Sequence, residues 1–124
     1  MKFSVSNIAL PSFDHERELN HLAEMGISGV EVAPSRIWRD TWKGLRKDDV
    51  EVYRRSVQAA GLEIVGLHSL LFDHPNLGLF ADKEFENLSL EFLAHLSKVC
   101  RDIGGSTLIY GGGRNRGDCP YDEA

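Results

Sequence analysis

Three times along this sequence, a stretch with helical spacing ends at a glycine that stands just before a hydrophobic strand. The glycines are Gly26, Gly61 and Gly104, and glycine is common directly after a helix because it adopts the left-handed conformation easily. A repeated order of strand, helix and glycine predicts a parallel sheet with helical crossovers. The periodicity leaves two architectures open, an open doubly wound sheet and a closed (β/α) barrel.

The same pattern gives approximate bounds for each element. Four short segments have strand character and are predicted as strands: 2–7, 29–33, 62–68 and 107–110. Three segments repeat apolar residues every three or four positions and are predicted as helices: 14–25, 48–60 and 85–103. Asp48 is a suitable N-cap for the second helix, with Glu51 three residues later. The chain therefore contains three strand–helix units and a fourth strand.

Length and composition exclude several classes of protein. A complete eight-stranded barrel needs about 250 residues, and the 124 residues of this chain have room for about half of one. We expect no membrane span, because no run of 18 apolar residues is present, and the absence of a secretory signal at the start predicts a cytoplasmic protein. The net charge of −5 disfavours nucleic acid as a partner. Cys100 and Cys119 lack metal-site spacing and are expected to be reduced and structural.

Polar residues at the ends of the predicted strands are the candidates for a functional site. In parallel α/β folds, functional groups gather on the loops beyond the carboxyl ends of the strands. The residues at these positions are Asn7, Glu31, His68, Arg114 and Arg116. We expect them to converge on one face of the protein as ligand-binding residues.

Each strand-end residue has a structural alternative. His68 could ligate a metal, transfer a proton or bind a hydroxyl, or it could be hydrogen-bonded into the core. Glu31 alternates with Val30 and Val32, and a carboxylate there needs a partner, a metal or a substrate hydroxyl to offset its desolvation. We favour a functional role for Glu31 over a structural ion pair. The amide of Asn7 suits a turn as well as a ligand.

Three loops add further candidates. The loop after the second strand combines Trp38 with a second tryptophan and five cations. It could stack on a sugar and hold a phosphate, or it could be a solvated basic surface whose tryptophans pack on helices. The apolar loop 70–80 is either a lid over a site or a cover for one end of the fold. The glycines 111–113 match neither phosphate-binding fingerprint, but together with Arg114 and Arg116 they could still bind an anion.

Three segments together resemble a known family. They read GVEVAP at 29–34, GLEIVGLHS at 61–69 and YGGGR at 110–114. In this order they are similar to the xylose-isomerase-like TIM barrel superfamily, and closest to its sugar phosphate isomerase/epimerase branch. The resemblance covers nearly the whole chain. It implies a parallel (β/α) barrel of TIM type, of which residues 1–124 would be the N-terminal half, with four strands and three helices, truncated after strand four.

The resemblance also implies a chemistry. Members of the family isomerise or epimerise a sugar or sugar phosphate through an enediolate, with a divalent metal (Mn, Mg or Zn) that polarises the carbonyl. Their metal ligands come mainly from strands five to eight, so this chain alone is expected neither to bind the metal nor to be active. Glu31 and His68 match family positions that face the ligand, and Arg114 matches a basic position after strand four. A histidine near the place of His68 binds zinc in the related AP-endonuclease branch, so a metal contact by His68 is an open alternative.

Half of a barrel has consequences for assembly. Such a chain would expose its edge strands and the apolar interior of its sheet. We therefore expect a homodimer, or association with the missing C-terminal half. Two other functions stay open: a non-catalytic half-barrel module that binds a ligand or partner, and cleavage at abasic DNA. The acidic charge and the absence of several metal-binding histidines disfavour the last of these.

Overall fold

Short buried strands alternate with amphipathic helices along the chain, as the sequence predicts. A computed structural model of the protein describes residues 1–111. Its strands are β1 (Ser4–Ser6), β2 (Gly29–Val32), β3 (Glu63–Leu67) and β4 (Thr107–Leu108). Its helices are α1 (Glu16–Glu24), α2 (Lys47–Ala59) and α3 (Lys83–Ile103), with short 3-10 turns at Asn7–Ala9 and Pro34–Arg36. The predicted α/β class, with four strands and three helices, is confirmed.

The strands form one parallel sheet in the order β1-β2-β3-β4. A doubly wound sheet reverses its strand order at a switch point, and the four described strands contain no reversal. The helices follow the same order, because α1 packs on α2 and α2 packs on α3. This arrangement is compatible with half of a TIM barrel, although the four described strands form an open sheet and do not close into a barrel.

The core lies between the sheet and this layer of helices. Val30, Val32 and Leu67 of the sheet are almost completely buried, and Phe92 and Leu96 of α3 are completely buried. Burying one such side chain stabilises the fold by about 1.5–3 kcal/mol. The helices therefore cover one face of the sheet. The strand residues that alternate with these buried residues point away from the helices.

The other face of the sheet is not covered by any described residue. It presents Ser4, Glu31 and Thr107, together with Val65, which is 37% exposed. The sequence predicts an apolar interior for a half barrel, whereas this face carries more polar than apolar side chains.

The three glycines adopt the conformation that the sequence predicts. Their φ angles are +87° at Gly26, +84° at Gly61 and +91° at Gly104, which lie in the left-handed region that glycine tolerates best. The predicted cap of the second helix is wrong. α2 begins at Lys47, because the carboxylate of Asp49 accepts the backbone N–H of Arg46 at 3.0 Å and fixes the N-cap there.

The long loop after β3 packs on the core. Leu70, Leu71 and Leu77 are buried, and the backbone N–H of Gly78 donates to the hydroxyl of Ser89 on α3 at 2.9 Å. The loop therefore packs on the core through its leucines and is fastened to α3. No helix within residues 1–111 combines the length and the apolar character needed to cross a membrane.

Candidate functional site

The carboxyl ends of β1, β2 and β3 bring three polar residues to one edge of the sheet. Ser6, the last residue of β1, pairs in register with Glu31 of β2, and neighbouring strands lie about 4.8 Å apart. His68 directly follows β3, and its backbone N–H donates to the carbonyl of Val32 at 2.9 Å. The structure therefore brings Glu31 and His68 to the same edge, as predicted, and adds Ser6.

Two serine hydroxyls hold the imidazole of His68. Its Nε2 lies 2.7 Å from Oγ of Ser6, and its Nδ1 lies 3.0 Å from Oγ of Ser69. Because β2 lies between β1 and β3, the ring reaches across the end of β2 to meet Ser6. A hydroxyl both donates and accepts hydrogen bonds, so either neutral tautomer of His68 is satisfied at this position. Such a ring can take up or release a proton while the hydroxyls rotate.

The carboxylate of Glu31 has no partner among the residues that the structure describes. Val30 and Val32 on either side are completely buried against the helices, whereas Glu31 is only partly buried on the opposite face. Within residues 1–111, its carboxylate makes no hydrogen bond and no ion pair. The structural ion pair considered from the sequence is therefore not present in this part of the chain. As far as residues 1–111 are concerned, the oxygens of Glu31 are open to a hydroxyl or a cation.

Asn7 is placed in a structural role. Its side chain is completely buried, its Oδ1 accepts the backbone N–H of Ala33 at 2.7 Å, and its Nδ2 donates to the carbonyl of Ala33 at 3.2 Å. The amide thus ties the end of β1 to the end of β2. The predicted contact between Asn7 and a ligand is not supported, because both polar ends of the side chain bind the backbone inside the protein.

Trp38 does not join Glu31 and His68. Its side chain is 8% exposed, and its ring packs edge-on against Tyr53 with centroids 6.1 Å apart. It lines a cavity between α2 and the residues just before α1. The other two predicted site residues, Arg114 and Arg116, lie outside the described residues.

A buried polar pair on the helix side was not predicted. Nδ1 of His15 lies 2.9 Å from the carbonyl of Pro11, which can only accept, so this nitrogen carries a proton. In the neutral ring, Nε2 therefore accepts the hydroxyl of Tyr53 at 2.9 Å. Burial raises the pKa of Tyr53 well above its usual 10.0, an effect that a hydrogen bond with Asn7 partly offsets. Local sequence patterns cannot predict this pair, because His15 and Tyr53 are 38 residues apart in the sequence.

The described residues do not complete a metal site. Across 1–111, no group of three or more His, Cys, Asp or Glu side chains is placed to hold an ion. Glu31 and His68 could contribute two ligands at most, and a divalent metal is usually held by three or more protein or solvent ligands. Any further ligands would have to come from other residues or from another chain.

The fold and this edge define an α/β protein with a consecutive parallel sheet and a polar site at the carboxyl ends of its strands. Comparisons with protein-family profiles, with curated proteins and with solved structures gave no match. Its function is therefore inferred from the geometry of the site.

Proposed function

We propose that this chain forms one half of a parallel (β/α) barrel, and that the carboxyl edge of its sheet binds a sugar or sugar phosphate in an isomerase or epimerase. The observation that best supports the proposal is the hydrogen-bonded pair of Ser6 and His68 beside Glu31, whose carboxylate has no partner within residues 1–111. In parallel barrels, catalytic and binding groups lie at this end of the strands.

The chemistry of the three side chains suits a polyhydroxylated ligand. A carboxylate accepts hydrogen bonds from sugar hydroxyls, while a serine hydroxyl and a neutral imidazole each offer a donor and an acceptor. His68 could also carry a proton between the ligand and solvent. We assign these residues to substrate binding and leave the catalytic acid and base unassigned.

The proton transfer itself needs more than these residues. A divalent metal (Mn, Mg or Zn), when bound, polarises the substrate carbonyl and stabilises the negative charge that develops on its oxygen. Glu31 and His68 could supply part of the ligand set, and the rest would come from a completing half of the barrel. We therefore propose that the described half binds substrate and is inactive alone.

The uncovered sheet face supports an assembly. It exposes Val65 and Thr107, and both sheet edges, β1 and β4, have one side without a partner strand among the described residues. Exposed edge strands favour pairing with further strands. A second copy of the chain, or a separate C-terminal half, would provide them.

The ligand proposal is tested by titrating fructose 6-phosphate while following by NMR the backbone amide resonances of Ser6, Glu31 and the residue at position 68, which every variant retains. We expect a saturable shift, and we expect Glu31→Gln and His68→Gln to weaken binding by about tenfold or more, because each removes a hydrogen bond to the sugar. Glu63→Gln is the matched control, since Glu63 is exposed at the amino end of β3. Absence of a saturable shift, or an equal loss in Glu63→Gln, would refute the proposal.

A second candidate is a non-catalytic half-barrel module whose role is assembly. The uncovered face around Val65 favours it, as do the edges of β1 and β4, which have no partner strand on their outer side in the described part of the chain. Association of the chain without any response to sugar phosphates would support this candidate over the first.

A further inference from the structure

The cavity that Trp38 lines is on the helix side of the sheet, away from Glu31 and His68. Its volume is about 320 Å³, at the lower end of the range for small-molecule sites, which is about 300–1,000 Å³. It is formed by the residues just before and at the start of α1, the loop after β2 and the first half of α2. The lining side chains used below are Phe13, Trp38, Tyr53, Asp14, Glu16 and Asp49.

The aromatic part of the lining is held in place by the core. Trp38 and Tyr53 are 8% and 7% exposed and pack edge-on against each other. His15 fixes the hydroxyl of Tyr53. Phe13, by contrast, is 42% exposed and has a φ of +69°, an uncommon conformation for a bulky residue and one that is often found at functional sites. The cavity thus has two rigid aromatic side chains and one at its rim.

The charged side chains that line the cavity in the described residues are all acidic. Three carboxylates line the cavity, and no lysine or arginine of residues 1–111 does. The carboxylate of Asp49 is used partly as a helix cap, while the carboxylates of Asp14 and Glu16 make no hydrogen bond or ion pair with other side chains or backbone in residues 1–111. Acidic residues near the start of a helix also stabilise the helix dipole. That effect explains their place in the sequence, but it does not explain why they surround a cavity with aromatic walls.

Aromatic faces beside free carboxylates attract organic cations. A cation near a ring is stabilised by the ring quadrupole, and sets of aromatic side chains recognise ammonium ligands in this way. The chain itself already shows this contact, since the guanidinium of Arg39 lies 4.0 Å from the ring centroid of Phe13 although Arg39 does not line the cavity. From this combination we infer that the cavity binds a small organic ammonium ion. The inference is independent of the sugar site.

Choline is the probe, and the indole N–H resonances are the readout in NMR. Trp38 lines the cavity, whereas Trp42 packs on Phe92 and serves as an internal reference. We expect choline to shift the Trp38 signal saturably and to leave Trp42 unchanged. The neutral isostere 3,3-dimethylbutan-1-ol should have little effect, because it has the same shape without the charge.

Two double variants test whether the carboxylates that line the cavity contribute to choline binding. The double variant Asp14→Asn with Glu16→Gln changes only exposed side chains, and we expect it to weaken choline binding by about threefold to tenfold. The matched control is Glu84→Gln with Glu86→Gln in the first turn of α3, which should leave binding unchanged. Equal shifts from the neutral isostere, no saturable shift with choline, or equal weakening in the control would each overturn the inference.

Discussion

At the scale of single residues, buried polar side chains link segments that are far apart in sequence. Asn7 binds the backbone of Ala33, and His15 shares a hydrogen bond with Tyr53. A buried polar group costs free energy unless it is hydrogen-bonded, so each of these groups depends on its partner. Changes at such positions should act mainly on stability, whereas changes at Glu31 should act mainly on ligand binding.

We expect Asn7→Ala to lower the free energy of unfolding by about 1–3 kcal/mol, because it leaves the buried backbone N–H of Ala33 without its partner, while the carbonyl of Ala33 still accepts the backbone N–H of Arg36. Urea denaturation gives this value. Asn20→Ala is the control: Asn20 is exposed and makes one hydrogen bond to the backbone of Glu16, so its loss should change stability by no more than about 0.5 kcal/mol. Similar losses in the two variants would contradict the structural role of Asn7.

Tyr53→Phe should destabilise the protein by about 1–3 kcal/mol near neutral pH, since Nε2 of His15 loses its partner. The raised pKa of Tyr53 adds a pH dependence. Above about pH 10 the unfolded chain releases the tyrosine proton while the folded chain keeps it, so stability falls by about 1.4 kcal/mol per pH unit.

The variant Tyr53→Phe has no phenol hydroxyl and so lacks this ionisation. The stability advantage of the wild type over Tyr53→Phe should therefore shrink as the pH rises above about 10. Urea denaturation of both proteins between pH 8 and pH 11 measures the difference. An advantage that stays constant over this range would show that Tyr53 ionises equally in the folded and unfolded chains.

At the scale of elements, the pairing of β3 with β4 depends on a close backbone approach. A Cβ atom added at Gly66 would overlap the carbonyl oxygen of Thr107, its partner in register. β4 has only two residues in the ladder, so it has few other contacts with which to absorb the strain. Glycine at position 66 is therefore a requirement of the tertiary structure.

We expect Gly66→Ala to lower the free energy of unfolding by about 1–3 kcal/mol through this overlap. Gly111→Ala is the matched control, because a Cβ there meets no atom of the described residues within 4 Å. Thermal or urea denaturation compares the two variants. Equal stability of the two proteins would contradict the close pairing of β3 with β4.

At the scale of the whole molecule, the uncovered sheet face is the feature that most affects behaviour in solution. We expect the chain to associate, and sedimentation velocity over a range of concentrations measures this. Val65→Lys places a charge on the uncovered face and should weaken association by about tenfold. Leu90→Lys, on the exposed surface of α3, is the control. A constant monomer mass at all concentrations would rule out self-association.

Much of this architecture could be predicted from local patterns. Apolar spacing located the helices, the three glycines marked where they end, and the alternation of Glu31 with Val30 and Val32 placed its carboxylate away from the helices. The N-cap of α2 could not be predicted, because it is Arg46, a residue type that is not favoured at this position. The carboxylate of Asp49, three residues later, accepts the backbone N–H of Arg46 and fixes the start of the helix.

The sequence by itself determined the order of the elements, the buried face of each strand and the positions of the polar strand ends, because these follow from periodicities of two and of 3.6 residues. Only the tertiary structure decided what those polar residues do. Asn7 is structural because Ala33, 26 residues away, meets its amide. His68 is held at the site because Ser6, 62 residues away, meets its ring. Such contacts depend on strand register, which brings distant residues together and which local patterns do not encode.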